Sequence, residues 1–364
     1  MTIRKLLLLA PLVLAPVVFA AGLSAQGKGV TPADLLKPLA DIWPTYSGDY
    51  TAKRYSALKQ INKATVKNLT LAWVARLADG PGGPGGRPVI VGGEGTGEFV
   101  GGGGDTIKGS AIVVDGTIYI STPDNAWALD ARDGHERWHY YWKTRGGTHV
   151  GNRGLGMWNN YLYMETPDNY LVSLEAKTGK ERWHKVIADF NLQYFSTTAP
   201  VVVDNHVLVG TGNDLDSPGF LQSFDAETGE LKWKFYTVAM NPGDPGLDTW
   251  PSLDAARPGG AQPWLPGAYD PETRLYIFGT GNPTPAYTPG RGEGDNLFTC
   301  SLVAVNVNTG DIAWKVPFGR VDELHAKGHT NTGALNIGGA IATASGLLFI
   351  GATGKSAQVP LYVW

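Results

Sequence analysis

The 364-residue chain is 17% charged with a formal net charge of −3, which leaves no electrostatic case for a nucleic-acid partner. Its 49 glycines and 24 prolines suit many short strands joined by tight turns. The single cysteine, Cys300, excludes an intrachain disulfide and reads as a small buried residue on a strand.

At the N-terminus, Arg4 and Lys5 precede an uncharged run from Leu6 to Leu23 and the small residues Ser24 and Ala25. That layout predicts a secretory signal peptide over 1–25 and a periplasmic or secreted location. An uncleaved membrane anchor is the competing reading, because the run approaches the length of a spanning helix. Pro11 and Pro16 favour cleavage. Residues 26–65 are polar and turn-rich, with Trp43-Pro-Thr-Tyr-Ser-Gly-Asp49 ahead of Arg54-Tyr-Ser-Ala-Leu58. The alternation of 69–77, centred on Trp73, predicts a strand. Residues 80–104 are about half glycine without apolar period, and read as a flexible loop. No Gly-Lys-Ser/Thr and no helical pattern follow, so the G-x-G spacings there are not a phosphate loop.

From Ser110 onward strands follow in quick succession. The run 111–121 is a hairpin around Asp115-Gly116, and 155–164 and 200–209 repeat the plan around Asn159-Asn160 and Asp204-Asn205. Residues 274–279 and 346–351 supply two further short strands. Four stretches, 128–138, 173–183, 223–233 and 304–314, each carry an apolar run into a Gly turn and close on Trp138, Trp183, Trp233 and Trp314. The first two intervals between these tryptophans are 45 and 50 residues, the period of a propeller blade. The third, 81, holds a blade and a large insertion. Each tryptophan is predicted to fill the gap between neighbouring blades, its indole N–H finding a carbonyl.

The repeated A-x-D-x-x-T-G-x-x-x-W, spread over most of 40–314, resembles the tryptophan-docking motif of the quinoprotein alcohol dehydrogenases. These are eight-bladed all-β propellers carrying pyrroloquinoline quinone (PQQ) and usually Ca²⁺. Asn152-Arg153-Gly154 looks like the family's N-R-G, which implies that Arg153 contacts the quinone. Thr197-Thr-Ala-Pro200 is similar to the T-x-A-P segment, making Thr197 a hydroxyl donor to a cofactor carboxylate. Val209-Gly-Thr-Gly-Asn-Asp214 resembles the G-S-G-A-E segment, with Thr211 on the cofactor and Asp214 on the metal. The family segment is one residue longer, so the metal assignment can slip to Asp216. Gly259-Gly-Ala-Gln-Pro-Trp264 looks like the segment whose indole stacks under the quinone. Gly279-Thr-Gly-Asn282-Pro-Thr-Pro resembles G-T-G-N-P-x-P, whose Asn gives Ca²⁺ an amide oxygen. A carboxylate with an amide oxygen is hard-oxygen ligation, appropriate to Ca²⁺. Taken singly, each of these residues also has a bland reading as a turn former, surface ion pair or structural tryptophan.

The pattern also departs from the family. No segment after Trp314 matches the stretch that holds the family's carboxylate base, and Asp322 has the wrong neighbours, so no catalytic residue is assigned. Residues 317–353 look like a segment normally found several blades later, which implies loss of a central stretch joined at two equivalent docking units. About five blades are evident rather than eight. A ring so shortened must tighten, stay open, or self-associate with another copy. Lys108 stands where the family often has an acidic or amide residue, and the vicinal cysteine pair expected before Asn152 is absent. Without a C-x-x-C-H haem site, electrons would leave to a separate acceptor, a cytochrome or a quinone. His325 and His329 lack the helical, Glu-rich context of a zinc site.

The sequence therefore implies an exported, incomplete propeller over 26–364, oxidising a small alcohol or sugar hydroxyl with PQQ and calcium. Its rivals are a non-catalytic remnant or binding module, and a secreted sugar-binding propeller.

Overall fold

In the computed structural model the described residues are 29–83, 86–98, 107–147, 151–212, 215–286, 289–317, 319–328, 340–342 and 348–350. The signal-like segment 1–25, Asp214, His329 and the tail 351–364 lie outside them. Among the described residues no helix is long and apolar enough to cross a membrane.

Glycine-rich sequence hides the first strand. Ile90–Gly92 (β1) pairs parallel with an outer strand, so the predicted loop over 80–104 is corrected there. Three apolar residues suffice to extend an edge that is already formed. Four antiparallel sheets follow. The first is Ile112–Val114 (β2), Thr117–Ser121 (β3), Asn125–Asp130 (β4) and Glu136–Trp142 (β5), with β1 on its rim. The second is Gly156–Trp158 (β6), Tyr161–Glu165 (β7), Tyr170–Glu175 (β8) and Glu181–Val186 (β9). Val201–Val203 (β10), His206–Val209 (β11), Phe220–Asp225 (β12) and Leu231–Tyr236 (β13) make the third. The fourth is Ala268–Asp270 (β14), Leu275–Gly279 (β15), Ser301–Asn306 (β16) and Ile312–Pro317 (β17). A hairpin of Ala340–Ala342 (β18) and Leu348–Ile350 (β19) begins a fifth unit, with β18 beside β14. This is the predicted all-β propeller architecture, with four complete blades and part of a fifth among the described residues.

Inside each blade the chain meanders from axis to rim. Asp115 (φ 50°) and Gly116 (φ 68°) both take the left-handed conformation, which matches the twist of the hairpin they close. The third strands β8, β12 and β16 are almost wholly buried, whereas the rim strands β9, β13 and β17 are partly exposed. β5 differs, being largely buried because β1 lies against it. The register shifts at one equivalent place in every blade: Ala128/Leu129, Ser173/Leu174, Ser223/Phe224 and Ala304/Val305. A bulge at the same point of four sheets is a built feature, aiming each docking turn at its neighbour.

Three of the four docking tryptophans do what the sequence predicts; the residues that would follow Trp314 in the next blade lie largely outside the described ones. Trp138 Nε1 donates to Ala176 O (2.9 Å), Trp183 to Glu227 O (2.9 Å) and Trp233 to Val307 O (2.7 Å), each in the next blade. The rings lie against Gly179, Gly229 and Gly310, whose φ values are 70°, 73° and 76°. A Cβ on Gly179 would stand 2.6 Å from Trp138 Cδ2, so this position needs glycine for space as well as for φ.

The strand predicted at 69–77 is not formed. The segment pairs in no sheet among the described residues, and Leu71 and Val74 are 79% and 78% exposed. Its Trp73 still docks, donating to Ala131 O (3.2 Å) and lying against Gly134 of the first blade. Cys300 is also corrected: it sits half-buried just before β16 at φ 43°, with burial pushing its thiol pKa up.

Upstream of the blades, 30–52 forms a strap across their inner strands. Val30 exchanges two backbone hydrogen bonds with Asn159, and Trp43 two with Val113. Tyr50 Oη donates to Val202 O (2.8 Å), while its ring meets Tyr269 edge-on at 5.0 Å. The strap thus touches all four complete blades, tying together a ring that the described residues do not close.

Candidate cofactor site

In each antiparallel blade the lead-in to the first strand and the exit from the second lie at the same end. That geometry gathers residues distant in sequence. Arg153 precedes β6, Thr197 precedes β10 and Trp264 precedes β14, while Thr211 and Asn282 follow β11 and β15.

Three of these residues meet directly. The guanidinium carbon of Arg153 lies 4.8 Å from the Trp264 ring centroid. Arg153 Nη1 donates to Thr197 O (3.0 Å), and its backbone N–H donates to the same oxygen (3.2 Å). Burial pulls the Arg153 pKa down, opposed by nearby Tyr46 and Glu165, but a guanidinium starts so far above neutrality that it stays cationic. Thr197 is buried, and its carbonyl accepts both of these bonds.

Thr211 stands one layer behind. Its Oγ1 donates to Gln262 Oε1 (2.7 Å), and Gln262 Nε2 donates to Ser217 O (3.0 Å). Gln262 O also receives the N–H of Gly281 (3.0 Å). Thr211 therefore serves Gln262 first, and Gln262 braces the turns that carry Trp264 and Asn282. A Cβ on Gly210 would fall 1.9 Å from Pro263 O, so the backbones here approach at a distance only glycine permits.

Asn282 is exposed, and its backbone carbonyl receives Ala261 N–H (2.9 Å). Its place in the repeat is informative. The second strands end in Ser121-Thr-Pro-Asp124, Glu165-Thr-Pro-Asp168, Gly210-Thr-Gly-Asn213 and Gly279-Thr-Gly-Asn282. At the level of Asn282, blade two has Asp168, buried and bonded to Trp142 Nε1 (2.8 Å) and Thr166 Oγ1 (2.7 Å). Blade one has Asp124, also buried, which accepts from Asn125 Nδ2 (2.8 Å). In blade four the equivalent residue, Asn282, is exposed instead. Asp214 lies outside the described residues, and the alternative Asp216 is exposed. Lys108 is exposed as well.

The same alignment singles out Glu165, which sequence reasoning missed. Its blade-mates at that level are serine or glycine, so a carboxyl there is the anomaly that could have found it. Glu165 is completely buried and Oε2 accepts the N–H of Thr198 (3.2 Å).

The donor set fits PQQ in kind: a cation, a buried threonine and a half-buried indole face suit a planar ligand with three carboxylates. For calcium the described residues offer the amide of Asn282, and they hold no cluster of three His, Cys, Asp or Glu. His325 ends a four-residue helix, Asp322–His325, and is exposed. Asp322 lies at its start, 80% exposed and paired with Arg320 at 2.8 Å.

Comparison with known proteins agrees with the architecture. The family model for the PQQ glucose/ethanol/alcohol dehydrogenase β-propeller domain matches residues 43–316 and again 304–359, the two matches overlapping at the fourth docking repeat. Quinohemoprotein alcohol dehydrogenase ADH IIB of Pseudomonas putida is 34% identical over 81% of this chain and 42% of its own length. The dehydrogenase subunit of the quinone alcohol dehydrogenase of Gluconacetobacter polyoxogenes is 31% identical over 80% of this chain and 40% of its own. The solved quinohemoprotein alcohol dehydrogenase of Comamonas testosteroni superposes with a TM-score of 0.67 at 29% identity, covering 85% of this chain and 45% of that one. The chain spans about two-fifths of the length of the curated relatives it matches.

Proposed function

This chain belongs to the PQQ glucose/ethanol/alcohol dehydrogenase β-propeller family, and we propose that it binds PQQ with Ca²⁺ to oxidise an alcohol or sugar hydroxyl. The observation that carries the reading is the convergence of Arg153, Thr197 and Trp264 on one shelf. When bound, PQQ supplies the two-electron acceptor for the alcohol carbon. The chain's own residues bind and orient. Arg153 offsets the ligand's carboxylate charge, the Thr197 hydroxyl donates to a carboxylate oxygen, and the Trp264 face supports the ring plane. Gln262, held by Thr211, keeps Trp264 and Asn282 in register. Asn282 and Asp214 would hold the cation.

The guanidinium resting on the indole is the side chain a planar ligand must displace or share that face with. Substrate oxidation would deliver electrons to a separate carrier, a cytochrome or a quinone. An exported protein working in the periplasm fits the signal-like 1–25 and the bacterial relatives.

A specific observation favours a second reading, a propeller that binds but does not turn over. The nearest aspartate after the fourth docking tryptophan, Asp322, is exposed and paired with Arg320, which lends no support to a base at the shelf. Titration with PQQ and Ca²⁺, followed by dye-linked oxidation of a panel of alcohols and sugars, separates the two. Binding with turnover supports the dehydrogenase. Binding without turnover supports the remnant, and no binding defeats both.

A further inference from the structure

Glu165 is a buried acid that the proposed function does not use. It ends β7, level in the repeat with Ser121, Gly210 and Gly279. Those positions carry a small hydroxyl or no side chain: Ser121 Oγ donates to Asn152 Oδ1 (2.7 Å), and Gly210 has no room for a Cβ. Blade two puts a carboxyl into this inter-blade space. Its Oε1 has no hydrogen-bond partner among the described residues, and neither has the neighbouring Thr198 Oγ1. Asn152 Nδ2 does not relieve it, donating instead to the Glu165 backbone carbonyl (3.3 Å).

An ionised carboxylate with one unpartnered oxygen is expensive in such a place. Burial accordingly pushes the Glu165 pKa well above the ordinary range, while the Thr198 N–H and the Arg153 charge pull the other way. The groups that interact with it are the Thr198 N–H before β10, by a hydrogen bond, and, through charge, Arg153 before β6 and Tyr276 on β15, whose phenol is itself pushed up chiefly by burial. Arg153 is the cation among them.

The two opposed groups grip consecutive residues. Arg153 holds the carbonyl of Thr197, and Glu165 holds the N–H of Thr198. The Arg153 charge can thus be answered from within by Glu165 or from the open side by an anion resting on Trp264. We propose that Glu165 is a positioning residue that competes with the carboxylates of PQQ for the charge of Arg153. As a neutral acid it leaves the guanidinium to the ligand; once ionised it draws that charge inward. This rests on the reading of the shelf as a PQQ site.

The test is PQQ binding to the cofactor-free protein, followed by tryptophan quenching from about pH 5 to 9, beside a carboxyl titration by infrared difference spectroscopy. In the wild type, Kd should rise by up to about tenfold per pH unit once Glu165 ionises, the limit for one linked proton. Glu165→Gln should flatten that dependence, and Glu165→Ser, the residue of blade one, serves if the glutamine variant fails to fold. Identical pH profiles in wild type and variant overturn the competition. In the cofactor-free protein, Arg153→Gln should move the carboxyl titration to higher pH, because the favourable charge is gone. An unmoved titration overturns the pairing whatever PQQ does. Absence of PQQ binding by every protein at every pH instead defeats the proposed function, and the infrared comparison still decides whether Arg153 and Glu165 are coupled.

Discussion

The guanidinium of Arg153 lies 4.8 Å from the centre of the Trp264 ring, although the two residues are 111 positions apart and belong to the lead-ins of different blades. A cation over an indole is favourable by about 0.5–2 kcal/mol, depending on how dry the contact is. The pair is therefore held together without a ligand and presents charge and aromatic face as one surface.

If that surface binds PQQ, its two halves should fail differently. Arg153→Met removes a charge-assisted donor and should weaken PQQ by roughly 30- to 150-fold, from about 2–3 kcal/mol. Arg153→Lys keeps the charge but loses the planar fork, and should fall between methionine and wild type. Trp264→Ala should weaken binding while leaving its salt dependence intact, since it removes no charge. Calorimetric titration at two salt concentrations checks all three. Equal salt dependence in wild type and Arg153→Met would remove Arg153 from the ligand.

Docking predicts a stability contrast within one motif. Trp138 is 7% exposed, donates to Ala176 O and covers Gly179. Trp138→Ala should cost about 3–5 kcal/mol, and Trp138→Phe less, leaving a carbonyl unpaired. Trp314 has the same sequence context but is only half-buried, packed against the small cluster of Ala52, Ala268, Ile277, Leu302 and Ala304. Trp314→Ala should cost about 1 kcal/mol. Denaturant midpoints compare them, and equal losses would mean that Trp314 is docked after all.

The difference between these tryptophans marks how far the sequence could be read. The docking turns were legible because an apolar run, a glycine and a tryptophan sit within eleven residues and recur. The site lead-ins were legible in order, through family motifs, but their contacts were not. Nothing local says that Thr211 donates to Gln262, 51 residues on, or that Arg153 rests on Trp264. Glu165 was hidden because a carboxyl before Thr-Pro-Asp reads as turn polarity, and only aligning the strand ends exposes it. The segment 69–77 failed for the opposite reason. Its alternation is strand-like, but a strand requires a partner as well as a pattern.

That unpaired segment should tolerate change unevenly. Leu71→Lys and Val74→Lys alter side chains that are 79% and 78% exposed, and should shift stability by less than about 0.5 kcal/mol. Trp73→Ala, which breaks the bond to Ala131 O and uncovers Gly134, should cost roughly 1–2 kcal/mol. Thermal unfolding of the three variants checks this. A large loss for Leu71→Lys or Val74→Lys would show that the outer face of the segment is covered in solution.

Asp124 gives the fold a pH dependence of definite sign. Burial, and the charge of Asp79 after it, push its pKa up from 3.8 to about 7. Near pH 3 the carboxyl is protonated whether the chain is folded or not, and it contributes no difference. As pH rises from about 4 to 7 the unfolded chain releases this proton while the folded chain keeps it, so this group lowers stability throughout that window. Linkage over some three pH units caps the loss at ~4 kcal/mol, and water reaching the Asp79 side should reduce it to about 2. Asp124→Asn keeps an oxygen for the Asn125 Nδ2 bond but cannot ionise. It should match wild type near pH 4 and exceed it at pH 7. Urea titrations at both pH values measure the gap, and a gap that does not widen with pH would mean that Asp124 ionises as readily in the folded protein as in the unfolded chain.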